Sequence, residues 1–155
     1  MGLLDRLRGR GRVRPPFPPP TYSNSAVIER IQRDEGVDLD TARAWFQEML
    51  VFLDLCDRSK DVLSPPTDVD KAWHAFLLHS RDYATYCHER FGHTIWHDPT
   101  GDPDPQAYRR AYQRRLRYGR DSAPDPAVWA VPAGFVAGSE DDDDEDGQTL
   151  SLIHI

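Results

Sequence analysis

Between Val69 and His97 the chain reads VDKAWHAFLLHSRDYATYCHERFGHTIWH, and its apolar residues recur at helical spacing. Val69, Trp73, Phe76 and Leu77 fall at i, i+4, i+7 and i+8, which predicts a helix from about Asp68 to Leu78 with one apolar face. Ser80, read as an N-cap, opens a second helix on which Tyr83, Cys87 and Phe91 repeat at i, i+4 and i+8 until Gly92 ends it. Almost no loop separates the two helices, and the turn at Gly92 brings Trp96 and His97 back toward them. Five of the six histidines lie here, so the chemistry of the chain is concentrated in this stretch. Asp70 and His74 stand four apart, a spacing at which a carboxylate holds an imidazole one turn further on.

The wording of the stretch is also distinctive. Asp70-x-x-Trp73-His74 is followed by Leu78-His79-Ser80-Arg81-Asp82-Tyr83, then by Tyr86-Cys87, then by Phe91-Gly92-x-x-Ile95-x-His97. In order and spacing this resembles the core motif of the glycine-rich domain-containing protein-like family. The similarity runs over roughly Val27 to Pro99, and Val51-Phe52-Leu53 resembles that family's R-F-L segment upstream. The resemblance implies a small helical domain and no settled activity.

Helical patterning continues on both sides. Ser25 is placed to cap a helix carrying Val27, Ile28 and Ile31, which Gly36 stops. Asp40 or Thr41 caps the next, where Ala42, Trp45, Met49, Phe52, Leu53 and Cys56 form one stripe and Arg43, Gln47, Asp54 and Asp57 the other side. Pro65-Pro66-Thr67-Asp68 breaks the chain and caps the central helix, which places Asp68 and Asp70 in its first turn, where the dipole favours them. Turn residues fill positions 98–105, ending in a capping Asp104 and a Pro105 at the first helical position, and that helix ends at Gly119. These elements add up to an all-α, single-domain bundle of four to five short helices spanning Tyr22 to Gly119.

The flanks differ in kind. Residues 1–21 are basic and proline-rich, and residues 120–149 read as a flexible tail with a lone Trp129 and seven consecutive acids from Glu140 to Asp146. Those seven account for the whole formal charge of −7, because the remaining 19 acids balance 19 bases. The closing LSLIHI, Leu150 to Ile155, is out of character with an acidic tail, and one reverse translation of it is a library-adapter end; it is expected to be a sequencing artefact. No run of about 18 apolar residues occurs, so no membrane span is expected, and two cysteines at unrelated positions make no disulfide framework, which favours a reduced cytoplasm.

Candidate chemistry comes from His74, His79, His88, His93, His97, Cys87, Asp70 and Asp98. His74 and His97, with Cys87, would close a zinc site if the loop after Gly92 folds back, although no C-x-x-C, H-x-x-x-H or H-E-x-x-H occurs. A Cys87–His pair would need an accessible thiolate, whereas Cys87 shares its stripe with Tyr83 and Phe91. The other reading is structural: Trp73 fills the core, Asp70 orients His74, and His97 bridges the pair so that the loop is pinned. That reading favours a binding or adaptor module with a protein partner rather than a metal-dependent enzyme built on Asp70, His74, Cys87 and His97.

A third possibility lies on the last helix. Tyr108, Tyr112 and Leu116 are expected to dock, leaving Arg109, Arg110, Arg114, Arg117 and Arg120 outward. Six arginines and no acid fall between Pro105 and Arg120, a stripe suited to nucleic acid or to the chain's own acidic tail. The domain's own acids compete for it, since Tyr22 to Asp104 carries 16 acids against 8 bases.

Overall fold

The computed structural model describes residues 18–98, 101, 104–118 and 123–135. Five helices follow in chain order: α1 (Ser25–Glu35), α2 (Leu39–Arg58), α3 (Thr67–Leu78), α4 (Ser80–Phe91) and α5 (Pro105–Tyr118). No strand occurs among the described residues, so the domain is all-α as the periodicity predicts. No helix among them is long and apolar enough to cross a membrane. The basic arm through Phe17, Arg120, the acidic run and LSLIHI lie outside the described residues.

The helix ends show where local sequence speaks clearly. Gly36 and Gly92 take left-handed conformations, φ 65° and 76°, and each donates its N–H back into the preceding helix, to Gln32 and His88. Asp104 caps α5 as expected, accepting from Gln106 N at 2.9 Å, but the caps of α1 and α2 lie earlier than expected. Asn24, not Ser25, accepts from Val27 N, and Asp38, not Asp40 or Thr41, accepts from Thr41 N at 2.7 Å. Hydrogen bonds from Thr41 hold the Asp38 carboxyl below the ordinary range. Neither α3 nor α4 has a side-chain cap: Pro66 precedes α3, leaving Asp68 in its first turn, and His79 serves both as the end of α3 and the start of α4.

Helix α2 is the centre of the bundle, packing against α1, α3 and α5. Its stripe buries Ala42, Trp45, Met49, Phe52 and Leu53 against Val27 and Ile31 of α1 and Trp73 and Phe76 of α3. Asp54, expected on the outer side, is instead fully buried. Arg90 of α4 explains this by donating from Nε and NH2 to its two oxygens at 2.5 and 2.7 Å, and the Tyr118 hydroxyl donates to it as well. A carboxylate enters a core when such a fork and a further donor replace its water.

Helix α5 docks differently from its tyrosine–leucine spacing. Tyr112 is buried, but Leu116 is 40 % exposed and Arg115 takes the inner place at 2 %. Arg115 is tolerated there because Glu48 of α2 receives it bidentately at 2.8 and 2.9 Å. Glu48 also accepts the Trp129 indole N–H at 2.8 Å. Residues 123–135, read from sequence as part of the tail, thus carry a core residue: Trp129 is fully buried, Tyr108 donates to Ala130 O at 2.6 Å, and Phe135 stands edge-on to Tyr112. Trp129→Phe keeps most of the apolar contact and removes the indole N–H, and is expected to lower stability by about 1–3 kcal/mol. A shift of less than about 0.5 kcal/mol in urea unfolding would mean that the segment merely rests on the bundle.

Candidate functional site

One end of α3 and the segment after α4 meet at the site. Trp73 is fully buried; its indole N–H donates to the Tyr83 hydroxyl at 3.1 Å, and Tyr83 in turn donates to the carbonyl of Ile95. Burial, aided by neighbouring Cys87, pushes the Tyr83 hydroxyl upward and keeps it a neutral donor. This chain of bonds fastens residues 94–98 across the bundle, and the edge of Trp73 meets the ring of His97 with centroids 4.4 Å apart.

The result is a cluster of three polar atoms. His97 Nε2 lies 2.7 Å from Asp70 Oδ1 and 3.0 Å from His74 Nε2, while His74 Nε2 lies 3.5 Å from the same Asp70 oxygen. The His97 side chain is 7 % exposed and that of His74 50 %, so one imidazole is walled in and the other faces outward. The expected Asp70–His74 contact is therefore the longest of the three, and His97 is the closer partner of both.

Cys87 does not join them. Its thiol lies beside Tyr83 and the Ile95 backbone, and burial raises it, as burial raises Cys56. The other histidines are dispersed: His79 Nε2 accepts from Arg30, His93 pairs with Asp57 at 2.7 Å, and His88 is exposed on α4.

The cluster opens on a cleft of about 690 Å³ bounded by the lead-in to α3, the start of α5 and the segment around Val128. Its walls are largely apolar, with Val62, Pro66 and Val128 among them, and among the described residues its charged lining consists of Asp68, Asp70, Asp98 and Asp104. Asp104 and Tyr108 escaped the sequence reading as site residues. Nothing in their local pattern marks them, because only the docking of α5 brings them to the cleft that His74 also lines.

The arginines of α5 are mostly engaged inside the domain. Arg110 donates to Val62 O at 2.9 and 3.2 Å, Arg114 pairs with Asp61 at 3.0 Å, and Arg109 lies over the ring of Phe135. Arg117 is exposed. Acids and carbonyls of the domain thus take up much of the stripe, which is the competing arrangement that its charge balance allows.

A family described as UCP032817-like matches residues 21–117, more than half of the chain and all five helices but the last residue of α5. No curated protein and no solved structure matches. The match corrects the resemblance drawn from the central motif: the family shown is this uncharacterised one, and no glycine-rich domain family is.

Proposed function

As this chain belongs to the UCP032817-like family, an uncharacterised one, we propose that its domain is a binding module whose ligand occupies the cleft beside Asp70, His74 and His97. The observation that carries this is the pairing of apolar walls with four aspartates and, among the described residues, no lysine or arginine in the lining. Apolar walls supply affinity and a few polar groups fix orientation, the usual division of labour in small-ligand sites. Lys71 and Arg110 approach Asp68 and Asp104 only to 4.0 and 3.9 Å, as partly exposed pairs that offset little of the charge. The cleft therefore selects a compact, partly apolar ligand bearing a cationic group, and repels an anion of the same size.

Two probes of matched shape test this. Phenethylammonium and 3-phenylpropionate, titrated by NMR in chelator-containing buffer, differ mainly in the sign of their charge. The amine is expected to shift the amides of residues 67–74 and 105–108 and to bind on the order of tenfold more tightly than the acid. Asp68→Asn/Asp104→Asn is expected to remove most of that preference. Equal binding, or tighter binding of the acid, rules the reading out.

A further inference from the structure

The three atoms at the head of the cleft have too few protons for their contacts. Each Nε2 holds either one hydrogen or one in-plane lone pair, never both. If His97 Nε2 is protonated it serves Asp70 at 2.7 Å and has no lone pair left for His74 at 3.0 Å. If it is unprotonated it accepts from His74, and its lone pair then faces the Asp70 carboxylate. Protonating Asp70 only moves the conflict, because one lone pair cannot accept from two donors. In every tautomer at least one close contact has no hydrogen of its own and can only share one.

A cation among the three atoms satisfies all of them at once. We infer that Asp70 Oδ1, His74 Nε2 and His97 Nε2 are the protein ligands of a zinc ion whose fourth position opens on the cleft. The dimensions are close. Tetrahedral zinc with N and O ligands at about 2.0–2.1 Å separates neighbouring donors by about 3.3 Å; Asp70 and His74 already stand 3.5 Å apart, and His97, at 2.7 and 3.0 Å from them, has to draw back by a few tenths of an ångström to admit the ion. Two neutral imidazoles and one carboxylate are also a donor set that zinc favours when it keeps an exchangeable position.

The surroundings prepare such a site. His97 is held by the edge of Trp73, and the Trp73–Tyr83–Ile95 bonds fix the backbone two residues before it. Asp70 and His74 are presented one turn apart on α3, an arrangement that survives without the ion because the helix is sustained by Val69, Trp73 and Phe76 in the core. The half-exposed His74 leaves one side accessible for the ion to enter and for a donor atom of the cleft's occupant to reach it. The assignment stands on the geometry of the triad and does not depend on which molecule fills the cleft.

Zinc alone is the probe. Full-length, untagged protein freed of metal and titrated with zinc chloride is expected to take up one ion per chain, and its melting temperature is expected to rise with zinc and fall again in chelator. Cobalt(II) in its place is expected to give the intense visible band of a four-coordinate site. His74→Ala should retain helical content, since that side chain is half exposed, yet lose affinity by more than about 100-fold. Asp70→Asn, which keeps the side-chain shape, should lose most of it too, while His88→Ala on the exposed face of α4 should bind as the parent does. This pattern establishes the site. Absence of stoichiometric zinc in the parent chain, or zinc retained at parental affinity in His74→Ala or Asp70→Asn, overturns it. Neither result bears on the amine preference, which is measured without metal.

Discussion

Asp54→Ala is expected to be among the most damaging substitutions in the domain, lowering stability by about 3–5 kcal/mol. Asp54 is fully buried and receives both the Arg90 fork and the Tyr118 hydroxyl. Arg90 also donates to Pro18 O at 3.2 Å, so the same ion pair ties α2, α4, the end of α5 and the entering chain together. Removing the carboxylate leaves a guanidinium that is only 19 % exposed, together with a partly buried hydroxyl, facing a cavity. The loss exceeds the worth of the pair itself because the orphaned charge keeps its desolvation cost. A drop in melting temperature of more than about 10 °C is expected for a domain of this size. Asp54→Asn, which keeps the shape and one acceptor, should fall between the two. An alanine variant within about 1 kcal/mol of the parent in urea unfolding would show that Arg90 and Tyr118 find water instead.

Trp73→Ala is expected to cost about 3–5 kcal/mol as well, and its effect should reach the site. The indole fills the space between Phe52 and His97, and its N–H starts the bond chain through Tyr83 to Ile95. Truncation removes the wall behind His97 and one anchor of residues 94–98 together. Hydrogen exchange should therefore accelerate at residues 94–98 beyond what global destabilisation accounts for, and zinc affinity should fall although all three proposed ligands remain. Trp73→Phe separates the two contributions, since it preserves much of the packing while breaking the indole bond. Uniform acceleration of exchange across α3, α4 and the loop would show that Trp73 acts on global stability alone.

The family finding changes what the central motif is taken to mean. Asp70-x-x-Trp73-His74 and the later His97 point to a fold and to a meeting of side chains, and each of them has a physical place in the structure. Trp73 and Tyr83 build the scaffold, whereas Asp70, His74 and His97 face the cleft. Cys87, part of the same wording, belongs with the scaffold.

Local spacing was enough for the helices, because an amphipathic stripe must be buried wherever the helix lies: Val69, Trp73 and Phe76 read as core and are core. Glycine was enough for the two left-handed helix ends, since Gly36 and Gly92 meet no steric penalty there. Caps were harder to read, as Asn24 and Asp38 compete with neighbours of similar chemistry and only the backbone turn decides between them. What tertiary structure alone decided are the contacts between residues far apart in the chain. Asp54 and Arg115 look like surface charges on their own helices, and each is buried because a partner 36 or 67 positions away arrives with matching geometry. Trp129 had no periodic neighbours to announce it, yet Glu48 and the tyrosines of α5 give it a socket. His74 and His97 were visible as candidates, but their 3.0 Å approach depends on a loop whose path Tyr83 and Trp73 fix through bonds that no local pattern encodes.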